Sequence, residues 1–261
     1  MNSTTPADHT TGIPRRQAVA LGLAAVLGHP ASHANESPNM NTTTPIGALT
    51  TRQQAIVPIA AFAAAGNIAK LNIALSQGLD AGLTVSDTKE ILVQLYAYAG
   101  FPRSLNALGE LMKVLEARKQ RGIQDAPGNA PSRPIPKGNA LLAAGTANQT
   151  KLSGGPVAGP LFDFAPIANE YLRTHLFGDI FERDNLDWQS RELATVGMLS
   201  ALPGAESQLQ AHMRISMNVG LTADQLRQVS QVLAAQVDAD TARRANEALT
   251  RHLASLAPPQ Q

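Results

Sequence analysis

The residues with the clearest potential for acid–base chemistry are Glu192 and His212. Gln208 and His212 are four residues apart and therefore share one face of a predicted helix, while Glu192 lies on the helix before it. An antiparallel hairpin that turns at Gly204 would place the Glu192 carboxylate beside the His212 imidazole, where it can orient a proton-transferring ring. Two plainer interpretations stay open: His212 as a core or interface histidine, and Glu192 as a first-turn acid favoured by the helix dipole.

Two arginines are candidates for binding a carboxylate. Arg191 points about a quarter-turn away from Glu192, so a surface role for Arg191 is equally open. Arg103 follows Pro102 in the first turn of a predicted helix, where the dipole disfavours a cation unless an anion offsets it. This misfit makes Arg103 the better candidate.

Three uncharged residues complete the candidate site. Tyr98 can donate a hydrogen bond to a substrate, although aromatic residues late in an apolar helix often serve only packing. Asn106 lies one turn beyond Pro102 and is expected at the same opening, and Gln208 shares the face of His212.

The composition excludes several kinds of site. The chain has no cysteine, which rules out disulfides, thiol nucleophiles and cysteine-ligated zinc. His175 and His252 lack ligand partners at metal-like spacing, so we predict surface positions for both and no metal. The net charge is +1 and the basic residues are dispersed among acidic ones, which predicts no nucleic-acid partner.

Helices must position these residues. The chain is rich in alanine and leucine but only 4% aromatic, which favours an all-α fold. Apolar residues recur at helical spacing between glycines and prolines. Thr84 with Asp87, and Thr222 with Gln225, predict capping boxes at two helix starts, and Pro102 is predicted to begin a helix. The predicted helices are 50–65, 67–78, 84–99, 102–119, 166–177, 187–202, 205–219 and 222 to about 253.

Two diverged repeats explain the order of these helices. Gly82-Leu83-Thr84 matches Gly220-Leu221-Thr222 138 positions later, and Gly66 matches Gly204 at the same offset, although chance similarity between alanine-rich helices is an alternative. We predict a first repeat at 48–120 and a second at 163–255. Prolines and glycines between 125 and 160 predict an irregular connection, a Pro/Gly-rich linker over 121–162.

The first 34 residues are predicted to be a removed signal peptide. Arg15 and Arg16 precede an apolar run from Ala18 to Leu27, and Ser32-His33-Ala34 offers a cleavage site. The arginine pair resembles a twin-arginine signal, with general secretory export as the alternative. No later apolar run reaches the about 18 residues of a membrane span, so we expect a soluble periplasmic or secreted protein.

Several segments resemble the carboxymuconolactone decarboxylase family over about residues 48 to 235. The most specific is the run from Gln94 to Asn106, and the others are Gly145–Lys151, Arg191–Thr195, Gln208-Leu209, His212 and Gly220-Leu221-Thr222. The resemblance implies an all-helical fold related to the alkylhydroperoxidases and a homo-oligomer, commonly a trimer or hexamer, for which we expect Asn148 and Gln149 of the linker at the interface.

The resemblance also implies a chemistry. The name-giving enzyme, a carboxy-lyase, decarboxylates 4-carboxymuconolactone, and cysteine-bearing relatives reduce hydroperoxides through a Glu, two Cys and a His. Glu192 and His212 match that Glu and His, but Gly204 or Ala205 and Gln208 stand near the cysteine positions. Thiol peroxidase activity is therefore not expected.

Two functions follow from the sequence. The first is a cofactor-independent enzyme that decarboxylates, or moves a proton on, a small carboxylated lactone or enol-type acid. There a cation would bind the carboxylate, His212 would deliver the proton and Glu192 would orient the imidazole. The alternative is a non-catalytic oligomeric helical protein that binds small acids or a partner protein, since a fold alone does not fix a function.

Overall fold

Side-chain caps mark the start of six of the twelve helical elements that the structure describes. The computed structural model describes residues 47–257, of which 74% are helical and none lies in a strand, so the predicted all-α class is confirmed. The predicted signal peptide lies outside these residues. The elements are α1 (Thr51–Ala65), α2 (Ile68–Asp80), α3 (Val85–Gln94), α4 (Tyr96–Gln120), α5 (Asn139–Ser153), α6 (Pro160–Phe164), α7 (Pro166–Tyr171), a π-helix (Leu172–Ile180), α8 (Trp188–Ser200), α9 (Glu206–Asn218), α10 (Ala223–Gln236) and α11 (Ala239–Leu256).

Both predicted capping boxes are confirmed. The hydroxyls of Thr84 and Thr222 accept from the backbone N–H three residues later, and the side chains of Asp87 and Gln225 accept from the threonine N–H. Thr50 makes the same arrangement at the start of α1. Each box satisfies two backbone N–H groups that the helix itself leaves without partners.

The segment after α3 bends at Gly100, whose φ of 81° and ψ of 159° are not helical. Pro102 follows directly and stays inside α4, so it opens the regular part of this helix as predicted. The bend separates Tyr96 and Tyr98 from the long remainder of α4.

Two sequence predictions are wrong, and a third is right in being helical but differs in the type of helix. Residues 139–153, inside the predicted irregular connection, form α5, with Gly138 before the helix and Gly154 as its left-handed cap. The predicted helix from 222 to about 253 is two helices, because the chain turns at Val237 and Asp238 caps α11 by accepting from the Thr241 N–H. The predicted helix 166–177 is α7 followed by the π-helix.

Two helices form the centre of the core. Nine successive residues of α1, from Ile56 to Ala64, and eleven of α8, from Ser190 to Ser200, are buried. Helices buried on every side lie inside a fold rather than on its surface. A Cβ placed on Gly197 would lie 2.8 Å from the Val57 carbonyl oxygen, so the missing side chain lets the two backbones approach. Helices α2, α3, α4, α9, α10 and α11 contact this pair, whereas α5 packs mainly against the π-helix and forms a second, smaller apolar cluster with it.

The two predicted repeats have corresponding helix starts. Ile68 of α2 and Glu206 of α9 are 138 positions apart, as are Val85 of α3 and Ala223 of α10. This agreement supports the two-repeat hypothesis, which stays a prediction. Within residues 47–257, no helix is both long and apolar enough to span a bilayer.

Candidate active site

The α8–α9 hairpin brings Glu192 and His212 together. The chain leaves α8 at Ser200, turns at Gly204 with a φ of 88°, and enters α9, where the Glu206 carboxylate accepts from the Gly204 N–H at 3.0 Å. His212 Nδ1 lies 2.8 Å from Glu192 Oε2. Glu192 is completely buried and His212 is 7% exposed.

This pairing fixes the orientation of the imidazole. A carboxylate at Nδ1 favours a proton on that nitrogen, which leaves Nε2 to accept or deliver a proton. The other oxygen of the carboxylate, Glu192 Oε1, is buried without a hydrogen-bond partner among residues 47–257. The arrangement can therefore support acid–base chemistry.

Tyr98 is the aromatic neighbour of this pair. Its ring meets the His212 ring edge-on, with 5.6 Å between the centroids, and its hydroxyl lies 3.3 Å from Thr195 Oγ1. Burial, reinforced by the negative charge of Glu192, raises the pKa of Tyr98 well above its usual range. Tyr98 thus stays protonated at neutral pH and can act as a hydrogen-bond donor.

A buried amide holds Thr195 in place. Gln94 Nε2 donates to Thr195 Oγ1 at 2.7 Å and to the Arg191 carbonyl at 3.0 Å. This contact ties the end of α3 to α8, so the first half of the chain positions residues beside the Glu192–His212 pair.

Arg191 has neither of the roles considered from the sequence. The side chain is fully buried, which makes the surface interpretation wrong, and its guanidinium donates to Glu90 Oε2 at 3.0 Å and to the Arg183 carbonyl at 2.8 Å. The carboxylate that it binds belongs to the protein. Burial lowers the pKa of Arg191, and the hydrogen bond to Glu90 opposes that shift.

Glu90 is the centre of an ionic cluster that sequence reasoning missed. Arg183 Nη2 donates to Glu90 Oε1 at 2.6 Å, Arg183 Nε donates to Oε2 at 2.9 Å, and Asn185 Nδ2 donates to Oε1 at 3.0 Å. Burial raises the pKa of Glu90, but the hydrogen bonds from Arg183, Asn185 and Arg191 outweigh it and lower that pKa. These partners lie about 93 to 101 residues away in sequence, so no local pattern indicates the cluster.

The remaining candidates lie nearer the surface. Arg103 is half-buried against the end of α1, with its Nη1 3.7 Å from a Cβ placed on Gly66, and it forms no ion pair within residues 47–257. Asn106 and Gln208 are exposed, and Gln208 Oε1 accepts from the Ser207 hydroxyl at 2.9 Å. In the described part of the chain, none of the three hydrogen-bonds to Glu192 or His212.

The two other histidines differ from each other. His175 is exposed as predicted, with its Nδ1 3.0 Å from Asp179 Oδ2. His252 is only 4% exposed, so the predicted surface position is wrong, because α11 turns this residue towards α9. Residues 47–257 contain no group of three or more potential metal ligands.

The linker residues expected at an interface make contacts inside the chain. Asn148 Nδ2 donates to the Phe177 carbonyl at 2.9 Å and to Glu182 Oε1 at 2.7 Å, and Gln149 is buried. The part of Asn148 that stays accessible is small, and its role at an interface stays a prediction.

A separate cavity of about 610 Å³ lies along α1 and α2. Its walls are mainly apolar, with Pro58, Phe62 and Ile73 among them, and its one charged residue is Lys70, whose Nζ sits 5.5 Å from the Phe62 ring centre. Neither Glu192 nor His212 lines it.

Comparison with known proteins finds one family match in the segment that contains the Glu192–His212 pair. Residues 166–251 match the model of the Carboxymuconolactone decarboxylase family, and no curated protein matches the chain. The matched segment, a third of the chain, runs from α7 into α11 and contains Glu192, Arg191 and His212. Residues 166–251 of this chain are thus similar to the carboxymuconolactone decarboxylase family and contain no cysteine.

Proposed function

We propose that the protein is a cofactor-independent enzyme that decarboxylates, or transfers a proton on, a small carboxylated lactone or enol-type acid. The observation that carries this proposal is the buried contact of 2.8 Å between His212 Nδ1 and Glu192 Oε2. A buried imidazole held by a carboxylate is an arrangement suited to general acid–base catalysis.

The substrate itself supplies the electron sink. When the bond between the ring carbon and the carboxylate breaks, carbon dioxide leaves and its bonding electrons pass into the conjugated carbonyl group. The His212 imidazolium then delivers a proton from Nε2 to the resulting carbanion, and Glu192 stabilises that imidazolium. Solvent returns the proton to Nε2. Tyr98, held in its protonated form, can donate to the oxygen on which negative charge develops.

Arg103 is the remaining candidate for binding the substrate carboxylate. Arg191 is occupied by Glu90, whereas Arg103 has no ion-pair partner within residues 47–257 and lies on α4, just beyond the bend that carries Tyr98. We expect Asn106 and Gln208, both exposed, to contact the substrate near the opening.

The test is a screen of the purified mature protein against lactone acids, following carbon dioxide release. His212→Gln and Glu192→Gln should each lower turnover by about 10²-fold or more, as expected for loss of positioned acid–base catalysis. The double variant should be little worse than the weaker single variant, because residues that act together are non-additive. His175→Gln is the matched control, since His175 pairs with a carboxylate in the same way on the surface.

Oligomer mass and helical circular dichroism are compared first, so that only folded variants count. Unchanged turnover in both single variants would contradict the proposed roles, and multiplicative losses would show two independent roles.

The cavity along α1 and α2 favours a second candidate, a protein that binds small acids without transforming them. Its volume falls in the range of ligand sites, and apolar walls with one cation suit an apolar carboxylic acid. For this candidate, calorimetry should show binding that Lys70→Gln abolishes and His212→Gln leaves unchanged. The opposite pattern would place ligand recognition at the α8–α9 hairpin.

We propose that the chain assembles into a homo-oligomer, a trimer or hexamer. Phe101, Leu105 and Met112 of α4 are 60%, 62% and 72% exposed and lie near one face of that helix, an unusual number of large apolar side chains in contact with water. Burying them against a second copy would remove this cost. A light-scattering mass equal to one mature chain at micromolar concentration would contradict the proposal.

We also propose export of the protein to the periplasm through the arginine pair at residues 15 and 16. The supporting feature is the order of charge, apolar run and small residues in the first 34 positions. Replacing both arginines with lysine should abolish periplasmic yield, and an unchanged yield would argue for the general secretory route.

A further inference from the structure

A cavity of about 420 Å³ lies between α9 and α11. Ser207, Gln210 and Arg214 of α9 line one side, and His252 and Ser255 of α11 line the other. At about 100° per residue, Gln210 and Arg214 lie about 160° around α9 from His212. The cavity is therefore on the opposite face of α9 from the Glu192–His212 pair.

His252 is a residue of this cavity whose imidazole has no hydrogen-bond partner among the described residues. It is 96% buried, yet neither of its ring nitrogens takes part in a hydrogen bond within residues 47–257. Because His252 lines the cavity, a group bound there can reach a ring nitrogen that no side chain within residues 47–257 occupies. Burial, together with the positive charge of Arg214, lowers the pKa of His252. The ring is therefore neutral at neutral pH and offers one N–H donor.

Arg214 supplies the charge. It is exposed and forms no ion pair within the described residues, unlike Arg251, which pairs with Glu247 across one turn of α11. The nearest acid at the start of α9, Glu206, is bonded to the Gly204 backbone. The cavity thus combines an unpaired guanidinium, a neutral imidazole, a side-chain amide and hydroxyls.

We propose that this cavity binds a small oxyanion, with Arg214 and the His252 N–H as its principal donors. A phosphate or carboxylate group has the acceptor oxygens that both donors need, and a guanidinium recognises either group through paired N–H donors. The side-chain amide of Gln210, which also lines the cavity, adds a further donor. Because the site is separate from His212, its occupancy does not depend on the proposed acid–base function.

The test follows the His252 ring by ¹H–¹⁵N spectroscopy of the whole protein at neutral pH. Sodium phosphate and sodium succinate are added in separate titrations, with sodium chloride at matched ionic strength as the reference. We expect a saturable shift of the His252 ring with one of the two anions and no such shift with chloride, while the exposed His175 ring serves as internal control. The anion that saturates at lower concentration identifies the ligand as a phosphate or a carboxylate.

The decisive variant is Arg214→Gln, because Arg214 is exposed and its loss should leave the fold intact. It should weaken anion binding about tenfold or more, whereas Arg227→Gln, an exposed arginine of α10, should bind like the wild type. The preferred anion should also raise the Tm of the wild type more than chloride does, and Arg214→Gln should lose that difference.

Equal His252 shifts in all three salts would overturn the proposal, as would unweakened binding by Arg214→Gln. A third outcome would also overturn it: Arg214→Gln lowers the Tm equally in every salt. Arg214 would then serve only to stabilise the carboxyl end of α11.

Discussion

Removing the charge of the buried Glu90 should lower the free energy of unfolding much more than removing the charge of an exposed acid that also lies between two arginines. Glu90 is 3% exposed and binds both Arg183 and Arg191. In Glu90→Gln, the fully buried Arg191 guanidinium would lose the negative charge of Glu90 and be left with neutral acceptors: the Arg183 carbonyl, the Gln94 side chain and the amide oxygen of the new glutamine. An uncompensated charge inside a protein is strongly unfavourable.

The magnitude follows from the burial of each partner. Breaking a buried pair from one side costs about 3 to 5 kcal/mol, and we expect the lower end, about 3 kcal/mol, because glutamine keeps one acceptor oxygen. The Arg183 side chain is 34% exposed, so water can solvate it, and Arg183→Gln should cost only about 1 kcal/mol. The double variant Glu90→Gln with Arg191→Met removes both charges and should cost less than Glu90→Gln alone.

Urea unfolding followed by circular dichroism, at one fixed protein concentration, measures these differences. The matched control is Glu247→Gln, since Glu247 also lies between two arginines, Arg243 and Arg251, but its side chain is 44% exposed. That variant should stay within about 0.5 kcal/mol of the wild type.

The reasoning fails if Glu90→Gln costs no more than Glu247→Gln. It also fails if the double variant is less stable than Glu90→Gln, because the charge of Arg191 would then stabilise the fold without its partner.

Three further predictions test the pH dependence, the packing and the caps. The folded protein holds the pKa of Glu90 below 4.5, so the charge of this group stabilises the fold above that pH, and the stabilisation is lost as the pH falls through the folded pKa. The difference in unfolding free energy between the wild type and Glu90→Gln, measured by urea titration, should therefore shrink below pH 4.5. Gly145→Ala should destabilise the protein by about 3 kcal/mol or more, because a Cβ there would overlap a carbonyl oxygen of the π-helix. Gly109→Ala, which has open space around it, should stabilise the protein by about 0.5 to 1 kcal/mol in the same assay. Thr222→Ala should cost about 1 kcal/mol by removing a capping box, and Thr250→Ala, inside α11, should lower the Tm much less.

The parts of the fold that the sequence predicted well are those governed by local rules. The capping threonines and the glycine turns placed α1, α2, α8 and α9 within a few residues of their observed bounds. The break before α11 also had a local signal, since Asp238 lies three residues before Thr241, the spacing of a helix N-cap. The apolar pattern continues across this break, and it therefore predicted a single helix. The helix α5 was missed because the irregular structure indicated by the flanking prolines and glycines was extended to the residues between them.

The candidate site was predictable only in part. Helical spacing, the family resemblance and the turn expected at Gly204 placed Glu192 and His212 on adjacent antiparallel helices. The burial and ion pairing of the Arg191 side chain could not be predicted, because its partner Glu90 is about 101 residues away in sequence and burial depends on the tertiary fold. For the same reason the buried His252 looked like any other histidine on a charged helix.

The close approach of α1 and α8 affects whether the segment that matches the family model can fold as a separate unit. The segment that matches the family, 166–251, contains α8 but not α1, whose Val57 carbonyl lies against Gly197. Expressed alone, that segment would leave one side of its central helix without the apolar surface that completes it. The limits of the matched segment therefore cut through the apolar core of this chain: Val57 and Gly197, about 140 residues apart in sequence, lie in contact, and contacts of such long sequence separation favour slow folding.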